Sequence, residues 1–241
     1  MTQPALSTPS TKAVSALGIF IAWGLWMWVV TQVIIPWLSD FTGLESAIFW
    51  FTLGGLGIFL PFLLLSYIIL RKEGIPAGFI AFKERLRFHP MTKDDWCWGL
   101  GAMIVVGILS TVFLFILGIM LEEVKHQPSF MAFEPLTVGR YWILALWLPY
   151  WILNMMGEEV LWRGVLLPRM ESGVGKNAWV VQAVGWGLFH VSFGWQILIT
   201  LLPILFILPW VVQKRRNTWI GVLIHAGLNG PSFLAIAFGQ I

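Results

Sequence analysis

The stretch Trp151-Ile-Leu-Asn-Met-Met-Gly-Glu158-Glu159-Val-Leu-Trp-Arg163-Gly164 sets two adjacent carboxylates and a guanidinium inside apolar sequence. The run around it, 141–167, is long enough to cross a bilayer, and these three are its only charges after Arg140. An ionisable group in hydrocarbon costs roughly 2.5–3.5 kcal/mol on insertion scales. A chain that keeps three of them within about one and a half helical turns is expected to use them.

The rest of the sequence fits that setting. Of 241 residues, 58% are hydrophobic and only 11% charged, against about 45–50% and about 25% in an ordinary soluble domain. Several apolar runs approach or exceed the roughly 20 residues that span a bilayer. Alternating ten-residue segments of the β-barrel kind are absent. The fold class is therefore all-α, a polytopic transmembrane helical bundle forming one integral membrane domain over 1–241. The first run is too long, and too soon followed by others, to read as a cleaved signal peptide. A single cysteine, Cys97, excludes an internal disulfide framework. The net charge of +3 sits in loops, where it reports topology and not nucleic-acid binding.

Seven spans are expected, at roughly 13–37, 46–70, 96–121, 141–167, 178–193, 197–213 and 218–239. The fifth is short and interrupted, and Pro203 and Pro209 are expected to kink the sixth. With the N-terminus inside, the inside faces carry Lys12, Arg71, Lys72, Lys83, Arg85, Arg87, Lys93, Arg169, Lys176, Lys214, Arg215 and Arg216. The outside loops carry Lys125 and Arg140. That bias puts the N-terminus in the cytoplasm and the C-terminus outside. A bacterial inner (plasma) membrane is the expected location. The inside segment from Gly78 to Phe88 mixes apolar and basic residues and reads as lying on anionic lipid. The outside loop 122–140 shows no chemical pattern.

Three polar clusters fall in the last four spans. Asn154, Glu158, Glu159 and Arg163 lie on the fourth, Trp186, His190 and Ser192 on the fifth, and His225 and Asn229 on the seventh. Glu158 and Glu159 differ by about 100° around a helix, so they cannot face one point. Glu159 and Arg163, four apart, can pair along one face. Glu158 is left without a local partner, and Asn154 is one turn away on its face. A rise of about 1.5 Å per residue puts Glu158 about 13 Å from the inside end of its span, His190 about 18 Å, His225 about 10 Å and Asn229 about 16 Å. These depths form one slab, as a shared site requires.

A carboxylate beside a histidine can hold and deprotonate water. A second histidine with an asparagine can steady a developing oxyanion. Amide hydrolysis by activated water fits such a set, with a membrane-associated protein or peptide as substrate and lipid as the surroundings. Zinc held by Glu158, His190 and His225 is an alternative, since two His and a carboxylate are reasonable ligands. Each His is alone on its helix, unlike the usual i, i+4 pair, so no cofactor is the first expectation. On residues alone, both readings stay open.

These motifs resemble those of the CAAX-processing and bacteriocin-processing (CPBP) intramembrane protease family, which includes the Ras-converting endopeptidase. Glu158-Glu159-x3-Arg163 and His225-x3-Asn229 match its first and third motifs. Trp186-x3-His190 matches the second, with Trp where the family usually has Phe. The resemblance covers roughly 141–240 as a catalytic core. It implies that Glu158 and His190 activate water, that His225 and Asn229 stabilise the oxyanion, and that Glu159 and Arg163 support them. Asn154 and Trp186 join as supporting candidates. Two other classes remain open: a non-proteolytic membrane scaffold or regulator of the same family, and a proton-coupled transporter. The broken-helix pairs of the inverted-repeat transporters are absent.

Overall fold

A computed structural model describes residues 9–131 and 133–240, with side chains from residue 15 onward. The Lys12 side chain, counted above among the inside charges, therefore lies outside the described residues. The described chain is helical, without strands. Helix α1 runs through Pro9–Val29, a π-helical Val30–Ile34 and Ile35–Thr42. Helix α2 comprises Ser46–Phe49, a π-helical Trp50–Phe59 and Leu60–Lys72. The short α3 is Phe79–Arg85 and the long α4 Lys93–Met120. Helix α5 joins Ile143–Glu158, a π-helical Glu159–Leu166 and Leu167–Val174. Then follow α6 (Ala178–Phe189), α7 (Trp195–Arg215) and α8 (Thr218–Ala237).

Five helices, α1, α2, α4, α7 and α8, are long and apolar enough to cross a membrane. With α5 and α6 they account for the seven expected spans, and the chain is a multi-pass integral membrane protein. Helix α5 is excluded from the five by polarity and not by length. It sits at the centre of the bundle, packed against α1, α2, α6 and α8. From Val160 to Leu167 every residue is buried. The apolar helices around it thus keep its charges out of lipid, which is the physical condition for tolerating them. The outer α4 is the converse: Ile104, Ile108, Phe115 and Ile119 stand exposed along it.

The fifth span is shorter as a helix than its apolar run. Helix α6 stops at Phe189, after about 18 Å of rise. A 3-10 turn over Val191–Phe193 and Gly194, at φ 93°, carry the chain into α7. His190 thus sits at a helix end inside the bundle. Pro203 and Pro209 lie within α7, which stays helical through both.

Side-chain contacts tie the helices together at both ends of the bundle. On the inside, Phe79 and Ile80 of α3 are exposed, as a lipid-facing segment requires, but the residues after them turn inward. Arg85 pairs with Glu73 and donates to the Gly164 carbonyl at 3.1 Å. Arg87 forks onto Glu171, and the Leu86 carbonyl accepts from Thr218 Oγ1 at 2.6 Å. A capping box of Thr92 and Asp95 starts α4 here. Asp95 also takes Arg215 at 2.8 Å, tying α4 to α7. On the outside, the loop without an evident pattern is an aromatic plug. Phe130 packs on Trp50 and Phe193, and Phe133 on Phe51 and Phe233. Gln127 and Phe133 exchange two hydrogen bonds of 2.9 Å that hold the plug's shape.

Candidate active site

Glu158 ends the first α-helical part of α5, and Glu159 is the first residue of its π-helical stretch. Both are enclosed, at 1% and 0% exposure. Glu159 Oε1 lies 3.1 Å from Arg163 Nη1, the i, i+4 pair expected from spacing. The same oxygen accepts from His225 Nδ1 at 2.9 Å. Glu159 thus does more than neutralise Arg163: it also orients a histidine from α8. Two close approaches of backbone make this possible. A Cβ on Gly221 would fall 2.3 Å from Glu159 Oε2, and one on Gly157 would fall 2.7 Å from the Phe59 carbonyl. The bare backbone at these positions lets α8 and α2 close onto α5.

Glu158 has separate partners. Its Oε2 accepts from Trp186 Nε1 at 2.5 Å and from Trp162 Nε1 at 3.2 Å. The face of Trp186 carries the Arg163 guanidinium, 3.6 Å from the ring centroid. None of the three guanidinium nitrogens makes a hydrogen bond of good geometry to the described residues. The 3.1 Å contact with Glu159 is therefore an ion pair without hydrogen-bond alignment, and the indole face is the cation's other support. Trp186 also meets the rings of His190 and His225 edge-on, at 5.5 and 5.3 Å.

His190 is 7% exposed and its Nδ1 lies 2.9 Å from the Trp186 carbonyl. A carbonyl only accepts, so Nδ1 carries the proton and the neutral ring presents a lone pair at Nε2. Glu158, His225 and Arg163 are all within electrostatic reach of this imidazole. Among the described residues, no three His, Cys, Asp or Glu side chains converge to hold a metal ion. Glu158, His190 and His225 do not fit as a ligand set in this arrangement, so no step is derived through zinc.

Residues 140–230 match the family described as type II CAAX prenyl endopeptidase Rce1-like. That stretch is similar to this family. The UPF0177 protein YxdF of Lactococcus lactis subsp. lactis (strain IL1403) is similar over a longer stretch. It is 25% identical over 167 residues, covering 69% of this chain and 87% of its own length. No solved structure matches the chain.

Within the Rce1-like region, Glu158, Glu159, Arg163, Trp186, His190 and His225 form one contact network. Two candidates stand apart from it. Asn154 donates from Nδ2 to Tyr150 Oη at 3.0 Å, and its Oδ1 is buried without a partner. Asn229 lies one turn beyond His225 on α8, half-buried, with no side-chain hydrogen bond to the described residues. Three residues had no role in the sequence reading. Trp162, four after Glu158, was detectable from spacing alone. Gln182, one turn before Trp186, donates from Nε2 to the Trp162 carbonyl within the π-helical stretch. Gly221, one turn before His225, gave no signal beyond its missing side chain.

Proposed function

We propose that this protein is an intramembrane endopeptidase in which water activated by Glu158 and His190 hydrolyses a peptide bond of a membrane-associated protein or peptide. The supporting observation is that Glu158 stays out of the ion pair. Arg163 and His225 both contact Glu159. Among the described residues, nothing hydrogen-bonds Glu158 Oε1 or His190 Nε2. The Rce1-like match of this region supports the same class of reaction.

The chemistry follows from these groups. Water donates one proton toward Glu158 Oε1 and the other toward His190 Nε2. Its oxygen attacks the scissile carbonyl as Glu158 takes the first proton. The carbonyl oxygen becomes an oxyanion, and His225 with the Asn229 amide stabilises it. The Nδ1 bond to Glu159 that fixes the His225 ring supports that role. Collapse of the tetrahedral centre breaks the C–N bond, and the proton held by Glu158 passes to the leaving amine. Glu159, Arg163 and Trp186 hold the acting groups, and Asn154 braces α5 beside them.

The test is substrate trapping with Glu158→Ala protein purified in lipid. Bound protein or peptide is identified by mass spectrometry, then offered to wild type. Wild type is expected to cut it at a defined bond. Captured molecules that wild type leaves intact would count against a protease and favour a scaffold.

A further inference from the structure

The pattern usual in the resembling family has Phe at the position of Trp186. Here the larger ring brings an N–H, and that N–H is used. Both hydrogen bonds of Glu158 fall on one oxygen, Oε2: 2.5 Å from Trp186 on α6 and 3.2 Å from Trp162 one turn along α5. A carboxylate held from two directions at one oxygen has a fixed plane, so the in-plane lone pairs of its other oxygen point one way. Hydrogen bonds to an ionised acceptor are the stronger kind, and they strengthen further out of water.

Arg163 adds to this through the ring. Its guanidinium lies over the face of Trp186, 3.6 Å from the centroid, while the ring's N–H edge meets Glu158. A cation over the face draws π density away from the edge and makes the N–H a better donor. The positive charge paired with Glu159 therefore acts on Glu158 without a salt bridge to it.

We infer that Trp186 and Trp162 are positioning residues for Glu158: their two indole N–H groups clamp Oε2 and aim Oε1 at the reacting water. This rests on the proposed role of Glu158. The clamp itself is independent of that role, and the experiment separates the two.

Protein labelled with 15N at its Trp indoles, in nanodiscs, gives one N–H signal per tryptophan. The signals lost in Trp186→Phe and Trp162→Phe identify the pair. Both are expected downfield of the other indoles, both should move upfield in Glu158→Gln, and that of Trp186 should also move upfield in Arg163→Gln. If Glu158→Gln leaves both signals in place, the clamp does not exist. The second arm measures cleavage of the peptide captured by Glu158→Ala. Trp186→Phe keeps an aromatic ring on the same Cβ and loses the bicyclic extension together with the N–H. It is expected to lower kcat by roughly 10- to 100-fold with KM within about twofold, in protein shown by its unfolding midpoint to be folded at the assay temperature. If Trp186→Phe turns over like wild type while Glu158→Gln is inactive, the positioning role is wrong and the catalytic role of Glu158 stands. If Glu158→Gln is as active as wild type, the catalytic reading fails and the positioning role with it. The indole shifts would then report only a structural contact.

Discussion

The Glu159–Arg163 pair allows a prediction in which two apparently equivalent substitutions differ. Both side chains are fully enclosed, so removing one partner strands a charge, which typically costs about 3–5 kcal/mol. The costs should be unequal here because Glu159 has a second partner in direct contact, whereas the other carboxylate acting on Arg163, that of Glu158, makes no salt bridge to it among the described residues. In Arg163→Gln, His225 remains 2.9 Å from Glu159 and still hydrogen-bonds its carboxylate. In Glu159→Gln, the guanidinium keeps the face of Trp186 and the more distant Glu158, with no hydrogen bond to the described residues on any nitrogen. Glu159→Gln should therefore cost the full range, and Arg163→Gln less than half of it. At about 2–4 °C per kcal/mol for a chain of this size, the first lowers the unfolding midpoint by roughly 6–20 °C. The double variant removes both charges and should recover at least half of the Glu159→Gln loss. The assay is thermal unfolding of all four proteins in the same nanodiscs, followed by tryptophan fluorescence. The reasoning is refuted if Arg163→Gln is as damaging as Glu159→Gln, or if the double variant loses the sum of the two.

Three further outcomes follow from local geometry. Gly221→Ala puts a methyl 2.3 Å from a pinned Glu159 oxygen and 3.2 Å from Val212, so it should cost about 1–3 kcal/mol, read as a lower unfolding midpoint. Gly157→Ala meets the Phe59 backbone carbonyl at 2.7 Å, which cannot rotate away. A similar loss is expected, along with easier proteolytic nicking as α2 and α5 part. Thr92→Ala removes the N-cap of α4 at the inside surface and should cost about 1 kcal/mol, a shift of about 2–4 °C with no change in cleavage.

Much of this architecture is written in the sequence because hydrocarbon and charge act on it simply. Apolar runs had to be helices, and the uneven loop Lys and Arg give them an expected orientation. The four-residue spacing of Glu159 and Arg163 sufficed to pair them. What stayed hidden depends on finer physics. In an apolar run the side chains do not distinguish ordinary from π-helical winding, so the wide turns at Trp50–Phe59 and Glu159–Leu166 left no trace. The early end of α6 at His190 is set by a turn through Gly194, not by a break in hydrophobicity. The bond from His225 to Glu159 spans 66 positions and needs a missing side chain at Gly221, which no local pattern encodes. Trp186 and Trp162 read as apolar wall and anchor, because an indole's N–H acquires meaning only when an acceptor is placed against it. The plug at Phe130 and Phe133 was obscured because its apolar residues are scattered among prolines and charges.

The central claim is that Glu158, and not its neighbour, is the base that activates water. The most direct measurement is the single-turnover cleavage rate, in lipid and at saturating enzyme, of the peptide captured by Glu158→Ala. It compares wild type with Glu158→Gln and His190→Gln. Losing a general base removes typically 10²–10⁴ of rate, and Glu158→Gln should fall by that order without weaker substrate binding. Cleavage by Glu158→Gln at the wild-type rate would contradict the account.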